Sequence, residues 1–333
     1  MQFKDNHCQT ISHPNHLWLT ATTLIHTNQI NKRPVNIYRP LFHSPNPIHV
    51  ILSNKSAYTA TPLLSRHPIP TTFGAEMYVQ KIAIDIASDV DQDALMDEFG
   101  MLMSCYRNNG QLQGKHHTIS QYLTHNTLVC LAHTLEIDSL HKKFNNAYVN
   151  QQMDTLERLC LSKLTFETLG KTRSDYQSAC TCAQPDFYIL FTHYTTIASP
   201  LACGSCFKSV PLYRLPPYNG HDYYGIFSWE DDYQSCDTLQ MGCVVGERWA
   251  IKQMQDFESQ LSKQGREICK KIEELTSTPT YYFLFNYRKF KGNQRSRTCP
   301  GCGCKWDLNP PLHDFFDFKC DQCKIVSTIS QND

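Results

Sequence analysis

The stretch from Thr298 to Lys324, TCPGCGCKWDLNPPLHDFFDFKCDQCK, determines how the C-terminal end must fold. It carries two C-x-x-C pairs, Cys299 with Cys302 and Cys320 with Cys323. Seventeen residues separate them, inside the interval of roughly 15–20 expected for a four-thiolate zinc site. Each pair wraps a tight turn that brings two sulfurs to one side of an ion, and Gly303 can supply the positive φ that such a turn needs. Lys324 stands in the matching place after the second pair. Trp306, Leu308, Phe316 and Phe318 can pack two short strands, but a segment this short cannot build an independent core. Structural zinc, with about 10–16 kcal/mol of apparent binding energy, supplies what is missing. Four protein ligands leave no coordination position for water, so the expected Zn²⁺ is structural rather than hydrolytic. Two disulfides or free thiols are the alternatives, and Cys304 is a spare thiol within reach.

Upstream, Arg288, Lys289, Lys291, Arg295 and Arg297 form a run without acid, interleaved with Tyr287 and Phe290. Such a patch can grip phosphates of a nucleic acid. It can equally offset the net charge of minus two that four thiolates leave around Zn²⁺.

A second cysteine set, Cys180, Cys182, Cys203 and Cys206, offers another four thiolates. The single-residue spacing of Cys180 and Cys182 departs from the usual turn, so a second zinc and free thiols both stay open. A thiol oxidoreductase using Cys203-Gly-Ser-Cys206 would need a helix beginning at Cys203 to depress its thiol pKa. The following Val210-Pro211-Leu212-Tyr213 reads as extended instead.

The 333-residue chain has 31 Lys+Arg, 31 Asp+Glu and 16 cysteines. That density is below the 8–10% typical of small secreted disulfide scaffolds, which favours metal-binding thiols in a reducing cytoplasm. No apolar run is long enough to span a membrane. Residues 6–75 contain no Asp or Glu, and the stretch up to Glu76 is rich in His and Pro. Residues 1–76 therefore read as a disordered leader, or as sequence upstream of a start at Met77.

From Met77 the pattern predicts an α+β fold. Ile82, Ile84 and Ile86 alternate on one strand. A helix follows with Leu95, Met96, Phe99, Leu102, Met103 and Tyr106 on its buried face. A hairpin around His125-Asn126 and a second helix carrying Leu140, Phe144, Tyr148, Leu156 and Leu159 come next, and a closing strand is expected near Phe187 to Tyr194. The order β-α-β-β-α-β is that of a ferredoxin-like unit over residues 77–198. Residues 199–287 form a Cys-containing middle region, with helices marked by Trp249, Met254 and Phe257 and by Ile268, Cys269, Ile272 and Leu275. An aromatic strand at Tyr281, Tyr282, Phe283 and Phe285 is expected to be half-buried, and residues 288–333 form the zinc ribbon.

No G-x-S-x-G, P-loop, G-x-G-x-x-G or H-E-x-x-H motif occurs. His221-Asp222 and His313-Asp314 read as surface or capping pairs. The chain resembles a bacterial family of Zn-ribbon-containing proteins with a suggested nucleic-acid-binding role, a domain of unknown function. The resemblance rests on Ser199-Pro-Leu201 leading to Cys203–Cys206, Val210–Pro216, Tyr233–Asp237 with Leu239, Gly265–Cys269, Thr278–Tyr282, Cys299–Gly303 and Phe316–Cys323. It implies a cytoplasmic protein with metal on Cys299, Cys302, Cys320 and Cys323 and nucleic acid as partner. The expectation is thus a non-enzymatic zinc-ribbon protein that binds nucleic acid through the Arg288–Arg297 patch. Two alternatives stand beside it: a module docking a protein partner through the ribbon and aromatic strand, and a thiol oxidoreductase.

Overall fold

The computed structural model describes residues 76–87, 90–122, 126–173, 178–287 and 292–330. The leader lies outside them, as do Arg288, Lys289 and Lys291.

The architecture is mixed α and β, in two sheets. The first begins with β1 (Glu76–Asp85), whose Ile82 and Ile84 point into a core shared with two helices. Helix α1 (Gln92–Asn108) starts where the Asp91 side chain accepts from the Asp93 amide, a cap worth about 1 kcal/mol. Leu95, Phe99, Leu102, Met103 and Tyr106 are its buried face, whereas Met96 is 40% exposed. Strands β2 (Gln113–Tyr122) and β3 (Thr127–Thr134) form the hairpin. Helix α2 (Ala147–Cys160) starts later than Asp138-Ser139 suggests, because Asn146 caps it by accepting from the Val149 amide. Tyr148 faces outward.

The closing strand differs from expectation. It is β4 (Thr165–Arg173), and the sheet runs β2-β3-β1-β4 with every neighbour antiparallel. Its sequence, TFETLGKTR, shows no apolar alternation because it is an exposed edge strand. A bulge opposite Val79 and Gln80 and charged side chains are common devices for protecting such an edge.

The segment expected to close that sheet belongs to the second one. Here β5 (Tyr188–Leu190), β6 (Leu201–Cys203), β7 (Thr280–Phe283), β8 (Asp307–Leu312), β9 (Phe316–Cys320) and β10 (Ile325–Ser327) lie in the order β6-β5-β7-β10-β9-β8. Strand β7 pairs in parallel with β5 on one side and β10 on the other. One sheet therefore crosses both expected boundaries, at 198/199 and at 287/288, because the ribbon alone presents too little apolar surface to stand apart. The aromatic strand β7 is buried throughout rather than half-buried.

Helices α3 (Tyr224–Gly242), α4 (Glu247–Gln255) and α5 (Gln260–Thr276) accompany this sheet. Helix α3 escapes sequence patterning because Glu230, Gln234, Asp237 and Gln240 are buried along with Trp229 and Tyr233, so polar residues lie on its buried face as well as on its exposed one. Trp249 is exposed instead of marking a core. Helix α5 approaches β7 closely at Gly265, where an added Cβ would fall 2.2 Å from the Tyr282 ring.

Glu230 ties α3 to α1 of the first sheet. Arg107 of α1 lies 3.4 Å from Glu230 and 2.8 Å from Asp231, and Thr192 and Gln234 donate to Glu230 at 3.4 Å. Burial pushes the Glu230 carboxyl from 4.5 up to about 8, against the pull of Arg107, and burial raises Asp237 to about 6. A carboxyl that titrates higher in the folded chain holds its proton more tightly there, so this contribution falls as pH rises from about 4.5 to about 8. Urea midpoints measured at pH 5.5 and pH 8.0 should show wild type losing more stability across this interval than Glu230→Gln. Parallel losses in the two proteins would contradict the assignment.

Candidate metal centres

Two turns build the first centre. An isolated bridge joins Thr298 to Lys305, and inside it the Cys299 amide donates to the Cys304 carbonyl at 2.8 Å. The Gly303 amide then donates to the Cys299 carbonyl at 2.8 Å, with Gly303 at φ +74°. The second turn connects β9 to β10 through Cys320, Asp321, Gln322 and Cys323. Lys324 takes the left-handed conformation there, at φ +51°. That costs a non-glycine residue about 1–2 kcal/mol, and the Lys324 ammonium is held 5.2 Å from the Tyr281 ring and 3.9 Å from Glu273.

The sulfurs of Cys299, Cys302, Cys320 and Cys323 all lie within 4.8 Å of one another, and those of Cys302 and Cys320 are 3.6 Å apart. A disulfide would need about 2.05 Å. A tetrahedral ion with sulfur ligands at about 2.3 Å spaces them by about 3.8 Å. The thiols fit a metal and are not bonded to each other. The Cys304 amide first, then hydrogen bonds among the neighbouring thiols, bring Cys302 down to about 6, while burial pushes Cys320 up to about 11. A cation is what lets all four ionise together. Cys304 stays outside the group, exposed, near the Cys302 carbonyl and the Gln322 side chain.

The second centre repeats half of this plan. Cys203 ends β6, and the chain turns through Gly204, Ser205 and Cys206 before Ser209 bridges back to Ala202. The Phe207 amide donates to the Cys203 carbonyl at 2.7 Å, as Gly303 does to Cys299. Phe207 also sits at positive φ, +56°, so the residue after the second cysteine is left-handed in all three C-x-x-C turns. A parallel bridge between Ala179 and Ser209 delivers Cys180, whose amide donates to the Ser209 carbonyl at 2.7 Å. The four sulfurs of Cys180, Cys182, Cys203 and Cys206 lie within 4.8 Å, with Cys180 and Cys206 3.6 Å apart. Burial raises the Cys203 thiol, but amide donation from Cys206 and Ser205 outweighs it and leaves Cys203 below its usual range. Cys203 precedes no helix, so the dipole that activates a redox cysteine is missing at this position.

Of the basic run, the two described members face the protein. Arg295 pairs with Asp317 at 3.0 Å and donates to the Leu308 carbonyl at 2.9 Å. Arg297 is partly buried beside the Phe318 ring, and that burial lowers its pKa. Of the cysteines outside the two groups, Cys130, Cys160, Cys236 and Cys269 are buried, Cys105 is half-buried and Cys243 is exposed.

Three supporting residues escape motif reading. Gly301 has no space for a side chain, since a Cβ would lie 2.7 Å from the Cys323 sulfur and 2.7 Å from the Phe257 ring. Gly204 is covered by Phe187 in the same way, at 2.2 Å. His313, read as half of a surface pair, reaches the Gly204 carbonyl at 2.7 Å. Glycines inside C-x-x-C were the available signal; nothing marked His313.

Three stretches of the chain are matched by known families. Residues 77–170, 182–285 and 288–333 match three family models, each described as a domain of unknown function (DUF8589, DUF2310 and DUF8594). An uncharacterized protein of Haemophilus influenzae is 35% identical over 199 residues, covering 59% of this chain and 76% of its own length. The chain belongs to its family. A second uncharacterized protein of Haemophilus influenzae is 34% identical over 195 residues, covering 57% of this chain and 96% of its own. None of these descriptions assigns the family an activity or a nucleic-acid partner. Two solved structures, protein YJCS and Rv0793 from Mycobacterium tuberculosis, align at 13% and 11% identity with TM-scores of 0.23 and 0.22. They cover 30% and 29% of this chain and 99% and 97% of their own, and such scores carry no argument about the fold.

Gly301→Ala must displace either the Cys323 sulfur or Phe257. Metal release to a competing chelator should be several-fold faster than from wild type, with Gly303→Ala, which meets no atom within 4 Å, as a control for backbone strain alone. Equal release rates for Gly301→Ala and wild type would show that the close approach is unimportant.

Proposed function

We propose that this chain is a non-enzymatic protein held in shape by two structural zinc ions, with binding rather than catalysis as its task. The observation that carries the reading is the closure of both thiol sets. Each offers four sulfurs at tetrahedral spacing, which suits zinc and leaves no position for a reacting water. When bound, zinc supplies charge neutralisation for the thiolates and a fixed point for the turns. Cys299, Cys302, Cys320 and Cys323 hold one ion; Cys180, Cys182, Cys203 and Cys206 hold the other. We also infer a ferredoxin-like unit for the first sheet, supported by its β-α-β-β-α-β order and antiparallel neighbours. Free thiols among the described residues suit a cytoplasmic location, and among the same residues no helix is long and apolar enough to cross a membrane.

The nucleic-acid role is a narrower proposal. Arg295 and Arg297 brace the ribbon, so phosphate contact would fall chiefly to Arg288, Lys289 and Lys291. A protein partner is favoured by a separate observation. The turn between α3 and α4 exposes Val244 at 85% and Val245 at 73%, and Met241 and Trp249 of the flanking helices are exposed too, apolar surface of the kind that marks contacts. The buried strand β7 is unsuited to that role.

Native mass spectrometry of the reduced full chain should find two zinc ions per polypeptide; one or none would remove the two-centre reading. Retention on single-stranded oligonucleotide should fall steeply with salt and be lost in the triple variant Arg288→Glu, Lys289→Glu, Lys291→Glu. Absence of retention at low salt would leave protein binding as the function.

A further inference from the structure

The two thiol centres are joined by two separate sets of contacts. On the first, the hairpin between β8 and β9 turns at His313 and Asp314, both left-handed at φ +54° and +55°, with the Phe315 amide donating to the Leu312 carbonyl at 3.1 Å. This primed turn suits the twist of the strands but usually takes Asn or Gly. It projects His313 so that Nε2 donates to the Gly204 carbonyl at 2.7 Å, inside the Cys203–Cys206 turn. The partner is a carbonyl, so that nitrogen carries the proton. The imidazole also stacks on Phe207, the residue after Cys206, with centroids 5.2 Å apart and planes 10° from parallel.

The second set runs through aromatic rings. The Gly204 amide donates to the Phe187 carbonyl at 2.7 Å, and the Phe187 ring covers Gly204. Phe187 meets Tyr281 edge-on at 5.2 Å. The Tyr281 hydroxyl donates to Asp321 at 2.6 Å, inside the Cys320–Cys323 turn. Lys319 lies 5.2 Å from Phe187 and 4.5 Å from Tyr281, and it pairs with Asp321. A turn of each centre is thus clamped by residues whose other contacts order a turn or hairpin of the other.

We propose that the two tetrathiolate centres load cooperatively, with His313 and the Phe187–Tyr281–Asp321 contacts carrying the coupling. The proposal rests on the two-zinc reading and adds regulation to it. The ribbon, once closed on its ion, presents His313 and Asp321 in place, so the Cys203–Cys206 turn is ordered before its own ion arrives. Coupling of this kind is reciprocal and usually amounts to about 5–150-fold in affinity. Zinc supply would then switch the sheet between an empty and a fully loaded form, with little of the one-zinc form between.

The probe is Zn²⁺ itself, titrated into reduced, metal-stripped full-length chain against a chromophoric chelator, with species counted by native mass spectrometry. Wild type should pass from no zinc to two with little one-zinc species. Cys299→Ser/Cys302→Ser should weaken the remaining centre about tenfold or more, and Cys180→Ser/Cys203→Ser should weaken the ribbon by the same factor. His313→Phe/Tyr281→Phe keeps all eight thiols and the stacking ring but loses both donors, and it should populate the one-zinc species. A one-zinc species as abundant in wild type as in that variant overturns the coupling, even where a ligand variant fails to fold. Survivor affinities within twofold of wild type overturn it too, while two ions per wild-type chain keep the underlying reading. A wild type that never binds more than one ion defeats that reading instead.

Discussion

Eight sulfurs brought together four by four impose the main constraint on this protein. Thiols a few ångströms apart cannot all ionise unaided. A bound cation removes that conflict and fixes the turns that carry the cysteines. Everything around the second sheet follows from those turns: Phe207, Gly303 and Lys324 accept left-handed backbone, and Gly204 and Gly301 give up side chains so that Phe187, Phe257 and a sulfur can approach.

The consequence for architecture is that the ribbon is no appendage. Strand β10 pairs in parallel with β7, and β7 with β5, so the ribbon's hairpin extends a sheet begun more than a hundred residues earlier in the chain. Phe191, Phe207, Phe283, Phe315 and Phe316 meet in one aromatic cluster drawn from all parts of that sheet. Apolar burial that the ribbon lacks by itself comes from this shared core, and an ion on the four thiolates would supply local order where burial is thin.

Much of this was legible in the residues, and what was hidden was hidden for physical reasons. C-x-x-C pairs report themselves, since the chemistry of the turn prescribes residue type and spacing. Helices α1 and α5 show their apolar faces because each has a wet side. Helix α3 did not, because buried Glu230, Gln234 and Asp237 find partners within the protein and blur the pattern. Strand β4 did not, because an edge strand needs no apolar alternation. The basic run from Arg288 to Arg297 read as one surface patch, yet Arg295 is committed to Asp317 and Arg297 sits against Phe318; charge in sequence does not reveal which way a side chain faces. His313 was invisible as a support because its partner, the Gly204 carbonyl, lies 109 residues away.

The central claim is that zinc sits in two all-sulfur centres, and X-ray absorption at the zinc edge of the purified full-length protein tests it most directly. The spectrum should fit four sulfur neighbours per zinc at about 2.3 Å, with no nitrogen or oxygen shell. A fit requiring light-atom ligands, or one in which sulfur averages well below four per ion, would contradict it.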